Sequence, residues 1–194
     1  MKLPSAGSCA LLIIDVQKGF DNPHWGEERS NPFAEKNISL LLKAFRDMGP
    51  DHIVIHVRHD STELDSPLRP GQVGNEFMDV VEPYPGERVF AKTVNSAFIT
   101  TNLHEHLQSL GVKDLVVCGL TTDHCVSTTV RMAANLGYSV TLPGDATATF
   151  NRKGKDGRHL SAEEVHEFAL ASLDGEFARV IETREYLGAL SHAI

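Results

Sequence analysis

The sequence predicts a three-layer α/β/α fold, in which helices cover both faces of an open, mainly parallel, six-stranded sheet of the Rossmann-like kind. Two observations carry this prediction. Short apolar or alternating segments, typical of strands, occur at residues 8–16, 52–57, 89–92, 114–118, 138–142 and 177–181. Helical segments lie between most of them, at residues 31–48, 102–110, 123–136 and 161–173. Strands that alternate with helices in this way form parallel sheets.

The length and composition indicate one globular domain, residues 1–194. A formal charge of −8 without a basic run argues against nucleic acid and anionic membranes as partners. No apolar run approaches the roughly 20 residues of a membrane span, and the first residues lack the apolar segment of a signal peptide. We therefore expect a cytoplasmic protein whose three cysteines are reduced.

Three chemically different side chains stand at the carboxyl ends of predicted strands. Asp15 follows Ile13 and Ile14, where an acid is costly unless it is paired, functional or caps the next turn. Lys92 ends the third strand, and Cys125 follows the fourth. Ligands of parallel α/β sheets bind at this edge, so we expect the three groups to meet in one cleft.

Cys125 lies at the junction between the strand at 114–118 and the next helix. Free N–H groups and the positive end of a helix favour an anion, which predicts a stabilised thiolate. The tight turn from Gly119 could also aim two N–H groups at one point, as an oxyanion hole requires. The alternative is a buried structural cysteine, as Cys9 and Cys118 are expected to be.

Together the three groups make an apparatus for acyl transfer. Cys125 would attack a carbonyl group and form a thioester, and a water molecule would then hydrolyse it. Asp15 would accept the thiol proton and later act on the water, while the Lys92 ammonium would stabilise the negative charges beside it. His124 is adjacent to the nucleophile in sequence but points elsewhere on a helix, so we expect it in a pocket wall or at the surface.

The motifs around these residues resemble those of the isochorismatase-like cysteine hydrolase superfamily, which includes nicotinamidases, N-carbamoylsarcosine amidases, ureidoacrylate amidohydrolases and isochorismatases. The similar segments are Ala10–Phe20, Lys92–Phe98 and Gly119–Thr129. The resemblance implies Asp15, Lys92 and Cys125 as the catalytic residues and no cofactor. It also implies a cis Leu120–Thr121 peptide, an oxyanion hole formed by the N–H groups of Thr121 and Cys125, and a homodimer or homotetramer.

The substrate is less well defined by the sequence than the reaction. We expect Phe20, Trp25, Arg58 and His124 to bind it, although the aromatic pair could equally be packing beneath a loop. Arg58 or Arg69, in the long segment 58–88, could pair with a substrate carboxylate or form a structural salt bridge.

Metal binding and two other functions remain as alternatives. Nicotinamidases usually bind a metal after the second strand, where this chain has His56, His59 and Asp60 in a different order and spacing, and we predict no metal. The preferred function is hydrolysis of a C–N bond in a small amide, ureido or carbamoyl compound. The alternatives are vinyl-ether hydrolysis with Asp15 as the acid, and a non-catalytic or redox-responsive binding protein.

Overall fold

The main sheet is parallel, as the sequence predicts, but it contains a short seventh strand beyond the six predicted. A computed structural model describes residues 9–49 and 52–191. The strands are β1 (Cys9–Ile14), β2 (Ile53–His59), β3 (Arg88–Lys92), β4 (Asp114–Leu120), β5 (Ser139–Pro143), β6 (Thr147–Ala148), β7 (Arg152–Lys153), β8 (His159–Leu160) and β9 (Arg179–Ile181). The main sheet runs β3-β2-β1-β4-β5-β9 with every pairing parallel, and the short β6 pairs with β4 as a seventh strand. Strands β7 and β8 form a separate antiparallel pair.

Helices cover both faces of this sheet. They are α1 (Ala34–Asp47), α2 (Leu103–Ser109), α3 (Ser127–Asn135), α4 (Ala162–Ala171) and α5 (Thr183–Ser191). Ser161 and Glu164 form a capping box at the start of α4. Within the described residues, no helix is long and apolar enough to cross a bilayer.

The main part of the core consists of two layers, one on each face of the sheet, and β1 contributes side chains to both. Ala10, Leu12 and Ile14 pack with residues of α2 and α3 on one side, whereas Leu11 and Ile13 pack with α1 and α5 on the other. All five side chains are buried, because β1 lies inside the sheet and is covered on both faces. The predicted three-layer α/β/α fold is therefore confirmed.

Two helices begin differently from what the sequence predicts. Asn31 has a positive φ of 45°, and α1 starts three residues further on, at Ala34. The helix predicted from Asp123 starts as a π-helical turn, Thr122–Val126, before it continues as α3. Cys125 therefore lies in a wider turn than the first turn of an α-helix.

Gly119 allows β4 to approach β1 next to Asp15. Its φ is +122°, and a Cβ atom at this position would lie 2.0 Å from the carbonyl oxygen of Ile14. Any side chain there would push the two strands apart. This glycine sets the distance between the two strands that end at the candidate site.

Candidate active site

Lys92 connects the three side chains that the sequence predicts to meet. Its Nζ lies 2.6 Å from Asp15 Oδ2 and 3.4 Å from Cys125 Sγ. The Lys92 and Asp15 side chains are fully buried, and Cys125 is 8% exposed. The parallel sheet brings the groups together because β1, β3 and β4 all end at the same edge.

Asp15 is held in a conformation that few residues adopt. It directly follows β1 and has a φ of 51°, in the left-handed region, which aspartate tolerates better than most residues. Its N–H donates to the carbonyl of Val57, and its own carbonyl accepts from the N–H of Gln17, each at 2.9 Å. Its buried Oδ1 atom has no hydrogen-bond partner among the described residues. One oxygen of the carboxylate thus pairs with Lys92, and the other is available.

The turn that carries Cys125 is fixed at both of its ends. The N–H groups of His124 and Val126 both donate to the Thr121 carbonyl at 3.2 Å, and the Leu120–Thr121 peptide is cis. The buried Thr122 hydroxyl contacts His166 Nδ1 of α4 at 2.9 Å. This packing against α4 holds the turn at the end of β4.

The expectation of a stabilised thiolate at Cys125 is wrong for the resting site. Burial raises the pKa of the Cys125 thiol, the Asp15 carboxylate raises it further, and the Lys92 ammonium opposes the rise. The positive charge of Lys92 is already paired with Asp15, so little of it is left to favour a thiolate. Burial and the neighbouring carboxylate therefore both disfavour a thiolate at Cys125.

A cavity of about 170 Å³ opens above these groups. Phe20, Trp25 and His124 line it, as the sequence predicts, and so does Thr121. The two aromatic rings also pack together, with their centroids 4.7 Å apart. The aromatic pair is therefore both a cavity wall and loop packing. The other lining residues are Asp15, His24, His59, Ser61, Glu63, Ser66, Leu68, Asn95 and Cys125.

Arg58 does not reach this cavity, contrary to its predicted role in substrate binding. Side chains alternate along a strand, so Arg58 and His59 point to opposite faces of β2. The Arg58 guanidinium instead pairs with Asp60, with Nε 2.7 Å from Oδ1. Arg69, the other candidate, donates to the carbonyl of Leu64 at 3.4 Å. The expected structural salt bridge is thus found for Arg58, whereas Arg69 contacts a backbone carbonyl.

The residues considered for a metal after β2 do not converge. His56 is buried and contacts Glu87, Asp60 pairs with Arg58, and only His59 faces the cavity. Within the described part of the chain, one group of three potential ligands has its donor atoms within 4.8 Å of one another, namely Asp15, His59 and Cys125. The Lys92 side chain contacts one atom of each of these three residues.

The sequence indicates His59 only as a possible metal ligand and does not single out Asn95. Lys92 Nζ lies 3.1 Å from His59 Nδ1, and Cys125 Sγ lies 3.8 Å from Asn95 Oδ1. Strand β2 continues to residue 59, where His59 pairs with Lys92 in the sheet register. Side chains alternate along a strand, so His59 lies on the same face of β2 as Ile55 and Val57, which is the face of the cavity. A predicted strand two residues longer would have shown this.

Comparisons with known proteins agree on one family. The family model of the isochorismatase domain matches residues 9–185. The isochorismatase family protein YrdC of Bacillus subtilis is 42% identical over 178 residues, which cover 92% of this chain and 94% of that protein. Streptothricin hydrolase of Streptomyces noursei is 36% identical over 144 residues, which cover 73% of this chain and 50% of that protein.

A solved structure agrees with the sequence comparisons. It is that of an isochorismatase-family protein from Chromobacterium violaceum, with a TM-score of 0.92 and 46% identity, covering 99% of this chain and 100% of that chain. The chain therefore belongs to the isochorismatase family and is a hydrolase.

Proposed function

We propose that the protein hydrolyses a C–N bond of a small amide, ureido or carbamoyl compound through a thioester on Cys125. The observation that carries this proposal is the contact of the buried Lys92 ammonium with both Asp15 and Cys125. The Oδ1 atom of Asp15 has no hydrogen-bond partner among the described residues and can accept a proton. Nicotinamidase 3 of Arabidopsis thaliana and the ureidoacrylate amidohydrolase RutB of Agrobacterium fabrum are relatives whose names give this class of substrate.

In the first half of the reaction, Asp15 Oδ1 accepts the proton of the Cys125 thiol as sulfur attacks the carbonyl carbon. The thiol has a raised pKa, so proton removal and attack take place together rather than from a preformed thiolate. The N–H groups of Thr121 and Cys125 form the oxyanion hole for the negative oxygen. Asp15 then gives its proton to the leaving nitrogen, the C–N bond breaks, and a thioester remains.

In the second half, water replaces the amine. Asp15 accepts a proton from the water as its oxygen attacks the thioester carbon, and the tetrahedral intermediate forms in the same oxyanion hole. The C–S bond breaks, and the proton held by Asp15 returns to sulfur. Lys92 remains an ammonium throughout and offsets the negative charge that moves between Asp15 and Cys125.

The size of the cavity supports a small substrate. About 170 Å³ lies below the roughly 300 Å³ at which drug-sized pockets begin. We propose that Phe20 and Trp25 pack against the flat part of the substrate and that His124 borders the entrance, because its side chain is 53% exposed. Arg58 pairs with Asp60 and takes no part in substrate binding in this proposal.

A substrate screen tests the proposal. The purified protein would be assayed with nicotinamide, a carbamoyl compound, a ureido compound and isochorismate, each with and without a chelator. We expect release of amine or ammonia from a C–N substrate, insensitive to the chelator and lost in Cys125→Ala. Full-rate C–N hydrolysis by Cys125→Ala would refute the mechanism. Pyruvate release that survives in Cys125→Ala would instead support the vinyl-ether alternative with Asp15 as acid.

We also propose that the enzyme is a cytoplasmic homodimer or homotetramer. The oligomer rests on the family resemblance, and the compartment is supported by the three free cysteines, which fit a reducing environment. Light scattering should give two or four times the 21.3 kDa mass of one chain. A mass equal to one chain would refute the oligomer.

A further inference from the structure

We propose that His59 is a substrate-binding residue, whose neutral ring accepts a hydrogen bond from Lys92 at Nδ1 and donates one from Nε2–H to an acceptor atom of the substrate. This inference rests on the proposed cysteine hydrolase function. It adds a residue to the site and a chemical requirement to the substrate.

The hydrogen bonds of Lys92 determine where the proton of His59 lies. An ammonium group has three N–H donors and no lone pair. Three acceptors surround Nζ, namely Asp15 Oδ2 at 2.6 Å, His59 Nδ1 at 3.1 Å and Cys125 Sγ at 3.4 Å. Because Lys92 can only donate, His59 Nδ1 must be unprotonated. The single proton of the neutral ring therefore lies on Nε2, on the opposite side from Lys92.

The surroundings keep this ring neutral. Burial lowers the pKa of His59, and the Lys92 ammonium lowers it further, while Asp15, Asp60 and Glu63 oppose the shift. A second proton would have to lie on Nδ1 and would point directly at the ammonium. The ring is thus a fixed donor at Nε2 rather than a group that gains charge near neutral pH.

Two buried amide side chains hold His59 in position. Gln17 accepts from the His59 N–H through Oε1 at 2.9 Å and donates to the His59 carbonyl through Nε2 at 3.1 Å. Asn75 donates to the same carbonyl at 3.1 Å. Gln17 is fully buried and Asn75 is 6% exposed, so neither amide serves a surface role. Such support is typical of a residue whose direction matters for binding.

The free nitrogen of His59 belongs to a ring that borders the cavity next to Cys125. The ring lines the cavity, and Nε2 has no hydrogen-bond partner within residues 9–49 and 52–191. The donor atoms of Asp15, His59 and Cys125 all lie within 4.8 Å of one another. Asp15 and Cys125 line the same cavity as His59, so a donor at Nε2 is placed to contact a substrate bound there.

This donor defines the class of substrate. It requires an acceptor on the part of the substrate that faces His59, such as an amide or ureido oxygen or an unprotonated ring nitrogen. A compound with an ammonium group or only N–H donors at that position would leave both partners unsatisfied. The preferred substrate is a small, uncharged amide or ureido compound that carries such an acceptor.

Two variants separate the two halves of the proposal. His59→Asn keeps an acceptor near Lys92 but loses the donor at the Nε2 position. His59→Gln places an amide near the Nε2 position but loses the Nδ1 acceptor. Circular dichroism and thermal unfolding of both proteins would establish that they fold.

The first measurement is the tautomer of His59 in the free enzyme. Nitrogen-15 NMR of histidine-labelled protein at pH 7, with the His59 signal assigned by its loss in His59→Asn, should show a proton on Nε2 and none on Nδ1. A proton on Nδ1, or a doubly protonated ring, would overturn the proposal.

The second measurement uses the rate of Cys125 alkylation, followed by peptide mass spectrometry. Iodoacetamide carries an amide oxygen that can accept from Nε2–H, whereas iodoethane does not. We expect the ratio of the iodoacetamide rate to the iodoethane rate to fall about two- to tenfold in His59→Asn, the range expected for the loss of one hydrogen bond. The same ratio should fall less in His59→Gln. An unchanged ratio in His59→Asn would overturn the proposal.

Neither measurement needs a known substrate, so their outcomes are separable from the proposed function. Hydrolysis that survives in Cys125→Ala would refute the thioester mechanism, whatever the tautomer of His59. The expected tautomer together with an unchanged alkylation ratio would refute the role of His59 while leaving that mechanism intact.

Discussion

The cluster around Lys92 and the cluster around Glu87 contain the same three kinds of side chain, on opposite faces of β2. Each has a cation, a carboxylate and a histidine of β2, with His59 in the first and His56 in the second. His59 lines the cavity, whereas His56 packs against Phe77 beneath α1. The strand thus presents one histidine to each layer of the protein.

In the second cluster the carboxylate is saturated. Arg46 donates to the two Glu87 oxygens at 2.7 and 2.8 Å, His56 Nε2 lies 2.9 Å from Oε2, and the N–H of Tyr84 donates at 2.8 Å. The guanidinium also lies over the Tyr84 ring, 3.6 Å from its centroid. Both oxygens of Glu87 are engaged, so this cluster links α1, β2 and the start of β3 but cannot easily exchange a proton.

In the first cluster the cation is saturated and the carboxylate is not. Lys92 contacts three acceptors, but Asp15 Oδ1 has no hydrogen-bond partner among the described residues, and the Cys125 thiol borders a cavity. A buried acceptor without a partner is costly and needs an explanation. The two clusters therefore differ in whether a carboxylate oxygen is free to accept another hydrogen bond, rather than in composition.

Replacing Lys92 with methionine should give the largest effect. We expect turnover to fall by at least about a thousandfold, because Asp15 and Cys125 lose their shared cation. Unfolding in urea should show a loss of about 3–5 kcal/mol, since the variant leaves Asp15 buried without its partner. Lys92→Met/Asp15→Asn should recover most of this stability but no activity. A single variant that retains activity within tenfold of the parent would contradict the role of Lys92.

Replacing Asp15 with asparagine should move turnover and thiol reactivity in opposite directions. Turnover should fall by about a hundredfold or more, because the base is lost. The Asp15 carboxylate helps to raise the pKa of Cys125, so its removal lets Lys92 lower that pKa. Alkylation of Cys125 by iodoacetamide at pH 8 should therefore become about tenfold faster, as for a decrease of one pKa unit. Slower alkylation would show that the charge of Asp15 does not control the thiol.

Replacing Glu87 with glutamine should affect stability at low pH but not the chemistry. Burial alone would raise the pKa of Glu87, but hydrogen bonds from Arg46, the Tyr84 backbone and His56 lower it from 4.5 to about 2. The carboxylate therefore contributes stability above about pH 4.5, up to about 3 kcal/mol, and loses it as the pH falls towards 2.

The measurement for Glu87 is the free energy of unfolding in urea between pH 3 and pH 7. Glu87→Gln should lower it at pH 7 and flatten its decrease below pH 4.5, while turnover at pH 7 stays within about threefold of the parent. An unchanged pH profile, or a large loss of turnover in a folded variant, would remove the distinction between the two clusters.

The smallest effect is expected for Arg58→Met. Its guanidinium pairs with Asp60 away from the cavity and is partly exposed, so the pair contributes at most about 1 kcal/mol. Both kcat and KM should stay within about twofold of the parent on the substrate found by the screen. An increase of KM by tenfold or more would return Arg58 to the substrate site.

The sequence was sufficient for the fold and for the catalytic convergence because both follow from local patterns. Continuous apolar runs identify covered parallel strands, and the carboxyl ends of such strands share one edge. Asp15, Lys92 and Cys125 are chemically unusual residues at those ends, so they stand out without knowledge of distances.

The remaining features depend on quantities that a sequence does not contain. His59 was missed because β2 was expected to end at Val57, and Arg58 was misplaced because the face of a strand end depends on where the strand stops. The thiolate was expected from the helix start and the Lys92 ammonium, whereas burial and the Asp15 carboxylate raise the pKa of Cys125. All three errors concern direction and burial rather than the type of residue.

The thioester is the central claim, and intact-protein mass spectrometry tests it most directly. The enzyme would turn over the C–N substrate from the screen, with and without hydroxylamine, and samples would be quenched in acid within milliseconds. We predict a mass increase equal to the acyl part of the substrate, mapped to Cys125 and absent in Cys125→Ala, and formation of the hydroxamate in place of some acid. Turnover with no adduct on Cys125 and no hydroxamate would contradict the account.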